Sequence, residues 1–461
     1  MKERAPGLDM PMAAGKKRIL ILGGGFAGAY TALHLEKQLG GAPDIEVVVV
    51  SKENFVLFTP LLHEVAGSDV GLTDIVQPLR KMLRHTRIAI ADVEAIDLAR
   101  KQVRVRHPDL PEAYEVAYDQ LVLALGAVTN FYHTPGLAEH AFTMKTLGDA
   151  LLVRNGIIDA LELADNQSDE TRRRTTLTAV VAGGGFAGAE TVGAMNDFLR
   201  EGLKFYPHLM EDMIRVVLVH PGGVILPELG ENLGRYAQKK LGQRGVEILL
   251  NTKVSSFDGE TVTLSNGTTI SSRMLIWTAG TTPAPVISSL PCALQRGRVV
   301  ANAYLEVPDF PGVWALGDCA LVPDPLHPGK FYPPTAQHAI RMAAVLAGNI
   351  AATLRGEERR PFKFKIIGLL ASIGRRCGVA EILGMRFSGI IAWWLWRGIY
   401  LSKLPGFPKK VRVALDWTLD LFFSKNIVQL PTLTSPTMSA TEKTSATASA
   451  PASEPEIPKS E

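Results

Sequence analysis

The seven residues Gly23–Ala29 read GGGFAGA, and the same seven letters return at Gly183–Ala189. Each copy follows a short aliphatic run, Arg18–Leu22 and Leu177–Ala182, and leads into a helical pattern, TALHLEKQL after the first and TVGAMNDFLR after the second. Each then reaches a second apolar run, Ile45–Val50 (IEVVVV) and Ile214–Val219 (IRVVLV). Strand, Gly-rich turn, helix and strand in that order make a parallel βαβ unit. A chain that spells this unit twice has little choice but an α/β fold with two Rossmann-like dinucleotide-binding domains.

The glycines fall as G-x-G-x-x-G in both copies: Gly23, Gly25 and Gly28, then Gly183, Gly185 and Gly188. The first permits a tight turn, the second lets backbone approach a pyrophosphate, and the third lets helix and strand pack closely. Phosphates then meet unpaired N–H groups at the positive end of the helix. One such pattern is weak evidence; two, each between a strand and a helix, point to two bound dinucleotides. The acid that usually closes the second strand is missing from both copies, where Ser51-Lys52-Glu53 and His220-Pro221 stand instead. Ser51 and His220 can still hydrogen-bond a ribose. No Arg follows His220 closely to hold a 2′-phosphate, so NADH is favoured over NADPH. His220 reads equally well as a surface turn residue.

The remaining landmarks fit two or three domains over 461 residues. Strand-like runs with turns fill 87–123 and 246–277, closing in LVLALG and LIWTAG, and VWALGD follows at 313–318. A helical pattern starts near Thr335 and runs toward Leu354. The three cysteines, Cys292, Cys319 and Cys377, form no close pair, so neither a disulfide framework nor a metal site is expected. The first residues carry no apolar signal core, and no stretch is long and uncharged enough for a spanning helix.

Net charge is +3, yet from Arg359 to Pro431 thirteen Lys/Arg face only three acids. A basic module on a mildly acidic body suits a negatively charged surface. Four of the six tryptophans lie there: Trp393, Trp394, Trp396 and Trp417. The run Phe387–Leu404 is strongly apolar but includes Arg397 and Lys403. In Val411–Phe423, Arg412, Asp416 and Asp420 recur every four residues, which draws one polar stripe on an apolar helix. Trp at headgroup level with Lys and Arg around it describes an interfacial helix pair, and a membrane surface is expected to bind residues 387–423. A homodimer built on the same apolar face is the rival reading. No nucleic-acid partner is expected.

Taken together, the motifs resemble the type II NADH:quinone oxidoreductases, single-chain NADH dehydrogenases that do not pump protons. The likeness runs from about Lys17 to Leu430. It rests on GGGFAG twice, Phe58-Thr-Pro-Leu-Leu, Leu123-Ala-Leu-Gly, Ala315-Leu-Gly-Asp and Pro334-Thr-Ala-Gln-His-Ala. It implies FAD on the first Gly-rich unit and NADH on the second, with the NADH domain inserted in the FAD domain and a C-terminal amphipathic helical module docked on a membrane. The implied layout is a flexible N-terminus at 1–16, FAD domain at 17–145 and 285–355, NAD(H) domain at 146–284, docking module at 356–430 and a disordered tail at 431–461. The place implied is the cytoplasmic side of the cell membrane, held peripherally, where electrons pass from NADH to a quinone.

By the same resemblance FAD is held by Gly23, Gly25, Phe26, Ala27, Gly28, Ser51, Lys52, Thr59, Pro60, Ala124, Gly126, Asp318, Ala336 and Gln337. NADH is held by Gly183, Gly185, Phe186, Ala187, Gly188, Glu190, His220 and Gly280. Asp318 ends a strand, where it can accept from ribitol hydroxyls or serve only as a turn carboxylate. Thr335 reads as an N-cap whose helix end faces a reduced flavin. Glu190 is the first letter at which the repeats part, Tyr30 standing in the other copy. Glu190 and Gln337 are the expected catalytic side chains, Glu190 as an acid near the electron-transfer site or, alternatively, as a carboxylate favoured by the helix dipole. The family's A-Q-x-A-x-Q reads Ala336-Gln337-His338-Ala339-Ile340-Arg341 here, so the second Gln is an Arg. Three alternatives stand at this stage: a dithiol reductase, a sulfide:quinone oxidoreductase, and an NADH-binding flavoprotein that signals to a partner. The first two need cysteines beside the flavin.

Overall fold

A computed structural model describes residues 15–39 and 42–430. The tail expected at 431–461, and all but the last two residues of the N-terminus expected at 1–16, lie outside the described residues.

Two five-stranded parallel sheets carry the two Gly-rich turns, and their strand orders correspond position by position. The first runs Val313–Ala315, Gln120–Leu123, Lys17–Leu22, Ile45–Ser51 and Arg87–Ile90. The second runs Phe142–Thr143, Met274–Trp277, Thr178–Ala182, Arg215–Val219 and Val246–Leu249. In register, Ile19 pairs with Val47 and Ala179 with Val216. The central runs IEVVVV and RVVLV have few polar letters because helices cover both faces of a parallel sheet. Ile19 to Leu22 and Val216 to Leu218 are accordingly fully buried. Each unit also inserts a three-stranded antiparallel meander, over 92–117 ahead of strand Gln120–Leu123 and over 254–271 ahead of strand Met274–Trp277.

The second unit is inserted in the first. The chain leaves along Ala127–Thr129 and returns along Thr281–Pro283, and these two crossings pair antiparallel. Strand Val313–Ala315 then completes the first sheet. Strand Phe142–Thr143 already belongs to the second sheet, four residues ahead of the boundary expected at 146. The helix Ala336–Arg355 returns to pack along the first Gly-rich helix, Phe26–Leu39.

The C-terminal module, expected as amphipathic helices, first forms a three-stranded antiparallel sheet: Gly368–Ser372, Gly378–Ile382 and Met385–Ser388. Leu383 and Gly384 turn its hairpin with φ of 51° and 82°, the twist that a two-residue connection needs. Helices Gly389–Lys403 and Phe407–Leu419 follow. The sheet lies against the second Gly-rich helix, Phe186–Gly202, at Gly193, where a Cβ would come within 2.7 Å of the Ile373 carbonyl carbon and the Gly374 nitrogen. Among the described residues no helix is long and apolar enough to cross a membrane.

The tryptophans are placed differently from the expectation. Trp393, Trp396 and Trp417 are buried, and Trp394 alone of the four is exposed, at 54%. Arg397 is buried too, 3.8 Å from the Trp393 ring and 4.9 Å from the Trp417 ring, a stacked cation–π site. The polar stripe of the last helix turns toward the body: Arg412 meets Asp74 at 3.7 Å, the Gly71 N–H reaches Asp416, and Asp420 lies 3.8 Å from Arg397. Val413 and Trp417 are buried beside that stripe, while Phe407, Val411, Leu415 and Leu419 face outward.

Candidate functional site

A single cavity of about 1890 Å³ runs from the first Gly-rich turn, past both units, to the C-terminal module. Its wall begins at Gly23, Gly25, Phe26 and Ala27 and continues through Ser51, Lys52, Thr59, Pro60, Ala124 and Gly126. Asp318, Ala336 and Gln337 close the far side. Phe186, Ala187, Glu190 and Gly280 bring the second unit to the same space, and Ile399, Tyr400 and Lys403 of the C-terminal module line it as well. Of the residues expected to hold nucleotide, Gly28, Gly183, Gly185, Gly188 and His220 do not line this cavity.

The glycine turns explain themselves sterically. Gly23 and Gly183 adopt φ of 110° and 114°. A Cβ on Gly28 would meet the Gly23 carbonyl oxygen at 1.9 Å, and one on Gly188 the Gly183 oxygen at 1.7 Å. At Gly25 and Gly185 a Cβ would meet nothing, so open space adjoins the backbone there. No side chain caps the N-terminus of the second Gly-rich helix, which leaves its first N–H groups to an outside acceptor. Such a cradle, made twice beside one elongated cavity, fits two dinucleotides.

Smaller details set the walls. The Ser51 hydroxyl donates to the Glu53 carbonyl at 2.7 Å and abuts Gly24. His220 occupies the equivalent slot, its Nδ1 accepting the Gly184 N–H at 3.0 Å. Burial lowers its pKa, so it holds that turn as a neutral ring. Lys52 is mostly exposed and pairs with Asp92 at 3.4 Å. Asp318 pairs with Lys145 at 3.5 Å, a partner with no local signal in the sequence. Thr335 caps the helix Ala336–Arg355 by accepting the His338 N–H. The Gln337 side-chain amide donates to the Gly368 carbonyl at 3.0 Å and so ties that helix to the C-terminal sheet. Arg341 lies 4.3 Å from the Phe364 ring at the cavity wall rather than free in solvent.

Glu190 is among the residues of this wall. It is buried, and burial raises its pKa to about 8 against the two N–H donors that oppose the rise. Ser372 N–H and Trp396 Nε1–H both donate to its Oε1 at 3.2 Å. Beside it stand His63 and Glu64, which belong to none of the motifs that mark the nucleotide sites. The available signal was two ionisable letters inside the apolar run FTPLLHEVAG. Thr191 also lines the cavity with a buried hydroxyl that has no hydrogen-bond partner among the described residues. None of the three cysteines lines it, and burial pushes the Cys319 thiol up to about 11.

Two nucleotide-binding units facing one cavity define a pyridine-nucleotide flavoprotein oxidoreductase, and residues 17–343 match the pyridine nucleotide-disulphide oxidoreductase family. Residues 367–426 match the NDH2 C-terminal domain. The chain is 34% identical to the type II NADH:quinone oxidoreductase Ndh of Mycobacterium tuberculosis, over 88% of each chain. It is 30% identical to the demethylphylloquinone reductase NdbB of Synechocystis, over 88% of this chain and 96% of that one. A solved structure of NDH2 from Plasmodium falciparum in complex with NADH superposes with a TM-score of 0.83 over 90% of this chain and all of that one, at 20% identity. The chain therefore belongs to the type II NADH:quinone oxidoreductases, FAD-dependent enzymes that use NADH.

Proposed function

We propose that the chain oxidises NADH at bound FAD and passes the electrons to a quinone drawn from a membrane, without pumping protons. The observation that carries this is the continuity of the cavity, from the first Gly turn past Glu190 to Tyr400 and Lys403 in the C-terminal module. Bound FAD supplies the two-electron carrier chemistry. The first Gly turn, Thr59, Pro60, Asp318 and the capped end at Thr335 hold and orient it. The second Gly turn, Phe186, Ala187 and Gly280 hold NADH, with His220 keeping that turn in shape. Glu190 supplies a proton at the junction, and Gln337 positions the sheet beside it.

For the membrane, the support is a band of apolar side chains facing solvent. Ile390, Ile391 and Trp394 line one helix; Phe407, Val411, Leu415 and Leu419 line the next, and Phe422 and Phe423 follow, Phe422 being 78% exposed. An apolar face turned outward with its polar stripe held to the body is the arrangement of a helix lying in a lipid interface. The protein docks peripherally on the cytoplasmic side through 387–423. The same face, were it a dimer contact, would keep the Phe422→Lys variant monomeric while leaving vesicle binding unchanged.

Steady-state quinone reduction with NADH and NADPH side by side tests the reaction. Yellow protein that NADH bleaches and a soluble quinone recolours is expected, with NADH the better donor. Protein that binds both nucleotides yet reduces no quinone would transfer the role to signalling. Flotation with anionic vesicles, in which Leu415→Lys and Phe422→Lys are retained less, tests the docking face.

A further inference from the structure

The His63 ring stands between two buried carboxyl groups. Its Nδ1 lies 3.7 Å from Glu190 Oε2, and its Nε2 lies 3.7 Å from Glu64 Oε1. Both distances exceed a hydrogen bond, so a shift of about 1 Å joins the ring to either acid. Its Nε2 is buried and has no hydrogen-bond partner among the described residues. The two acids are arranged alike. Glu190 Oε1 accepts from Ser372 and Trp396, which leaves Oε2, the oxygen facing the ring, to carry the acid proton. Glu64 Oε2 accepts from Trp417 Nε1 at 3.0 Å, which leaves Oε1, again the oxygen facing the ring. The Trp396 ring packs edge-on against His63 at 5.5 Å and limits its freedom.

Reduction of a quinone to a quinol takes up two electrons and two protons. NADH brings both electrons and one proton as hydride; the second proton must come from water. We infer that His63 and Glu64 form a relay that delivers this water-derived proton to Glu190, from which the quinone takes it. The inference rests on the quinone reaction proposed above. Glu64 gives its proton to Nε2 as the Nδ1–H proton passes to the Glu190 carboxylate. The O–H bond of Glu64 and the N–H bond at Nδ1 break, while an N–H bond at Nε2 and an O–H bond on Glu190 form. The ring ends as the other neutral tautomer and returns to the first as Nε2 gives up its proton to water and Nδ1 takes one from water. Glu64 is recharged from water.

The surroundings fit a neutral ring between switchable acids. Burial, helped by the Lys425 charge, holds His63 down to about 3, so the imidazole passes protons without storing charge. Burial raises Glu64, while Arg397 and Lys425 oppose the rise and Asp420 adds to it. Tyr400, on the same helix as Arg397, is raised by burial and by Glu190. Lys425 binds Asp69 at 2.6 Å, and burial lifts Asp69 to about 8. The Asp69 side chain keeps 13% exposure, which places it at the outer end of the cluster.

The test uses full-length, FAD-loaded protein in anaerobic stopped flow, with NADH bleaching and quinone-driven recolouring timed separately across pH and in heavy water. His63→Gln and Glu64→Gln are each expected to bleach at the unaltered rate but recolour at least about tenfold slower, the scale of lost acid–base assistance. The pH profile of recolouring should lose its acid limb, and the infrared band of protonated Glu190, identified by its loss in Glu190→Gln, should shift in His63→Gln. If either variant is yellow and recolours as fast as the unaltered protein, the relay is refuted. If His63→Gln is colourless, the Glu64→Gln rate decides alone. An unaltered protein that bleaches but is not recoloured by quinone refutes the quinone reaction itself, a different result from unaffected variants.

Discussion

The two Gly-rich units share seven letters, strand order and turn geometry, yet they are embedded differently. The first helix, Phe26–Leu39, lies against the long helix Ala336–Arg355; the second, Phe186–Gly202, lies against the short helix Leu62–Ala66 and the C-terminal sheet. Where the first has Tyr30 and Leu33, the second has Glu190 and Gly193. Gly193 admits the backbone of Ile373 and Gly374, and that approach brings the Ser372 N–H to Glu190. Thr31 and Thr191 are the same letter in the same place, but Thr31 donates to the Ala27 carbonyl at 2.7 Å while Thr191 has no partner among the described residues. A duplicated cradle thus gives two turns of one shape, and its neighbours set a buried carboxyl beside only the second.

The strongest way to break this comparison is to add one methyl group to each cradle. Gly28→Ala should give colourless protein that cannot be reconstituted with FAD, because the new Cβ overlaps the Gly23 carbonyl. Gly188→Ala should stay yellow and lose NADH, seen as a KM raised at least about tenfold, or about 1.4 kcal/mol of binding. If both variants keep full occupancy, the cradles do not hold the dinucleotides.

Next in size is the side chain at which the copies part. Glu190→Gln should slow quinone-driven recolouring by about a hundredfold while FAD absorbance and NADH bleaching persist. Equal rates would reduce Glu190 to a helix-end charge.

A third test transplants the first copy's residue into the second. Gly193→Leu should push the C-terminal sheet away and cost about 1–3 kcal/mol by overpacking, read as a lower melting temperature and weaker vesicle binding. Unchanged melting would mean that the close approach at Ile373 is not needed.

The smallest effect is on stability against pH. Glu190 has a folded value near 8 against 4.5 for a free carboxyl. The unfolded chain gives up this proton first, so the contribution is full below about pH 4.5 and is lost as pH rises through 8. Asp69 acts in the same direction. His63, held near 3 against 6.5, acts oppositely: its contribution is full above about pH 6.5 and is lost as pH falls toward 3. The melting temperature of Glu190→Gln should therefore fall less than that of the unaltered protein between about pH 5 and pH 8. Parallel curves would place the Glu190 value near that of an ordinary carboxyl.

Much of the architecture was legible because it rests on local chemistry. Gly23 and Gly183 need positive φ, alternating strand and helix patterns reveal βαβ units, and Thr335 after two prolines announces a helix start. The C-terminal sheet was hidden because Gly368–Ser388 shows neither clear alternation nor a recognised turn, Leu383-Gly384 being an unusual pair for that hairpin. The tryptophans misled for a different reason. A Trp-rich, basic, apolar run has the composition of a lipid interface whichever way it faces, and three of its four rings turned inward to hold Arg397, Glu64 and Glu190.

By itself the sequence determined two dinucleotide cradles, since a missing Cβ and the spacing of three glycines act within a few residues of each other. The tertiary structure decided which carboxyl groups are acids worth having. Desolvation depends on everything packed around a group, so Glu190, His63 and Glu64 became a connected set only when three distant stretches, near residues 63, 190 and 396, closed on one another.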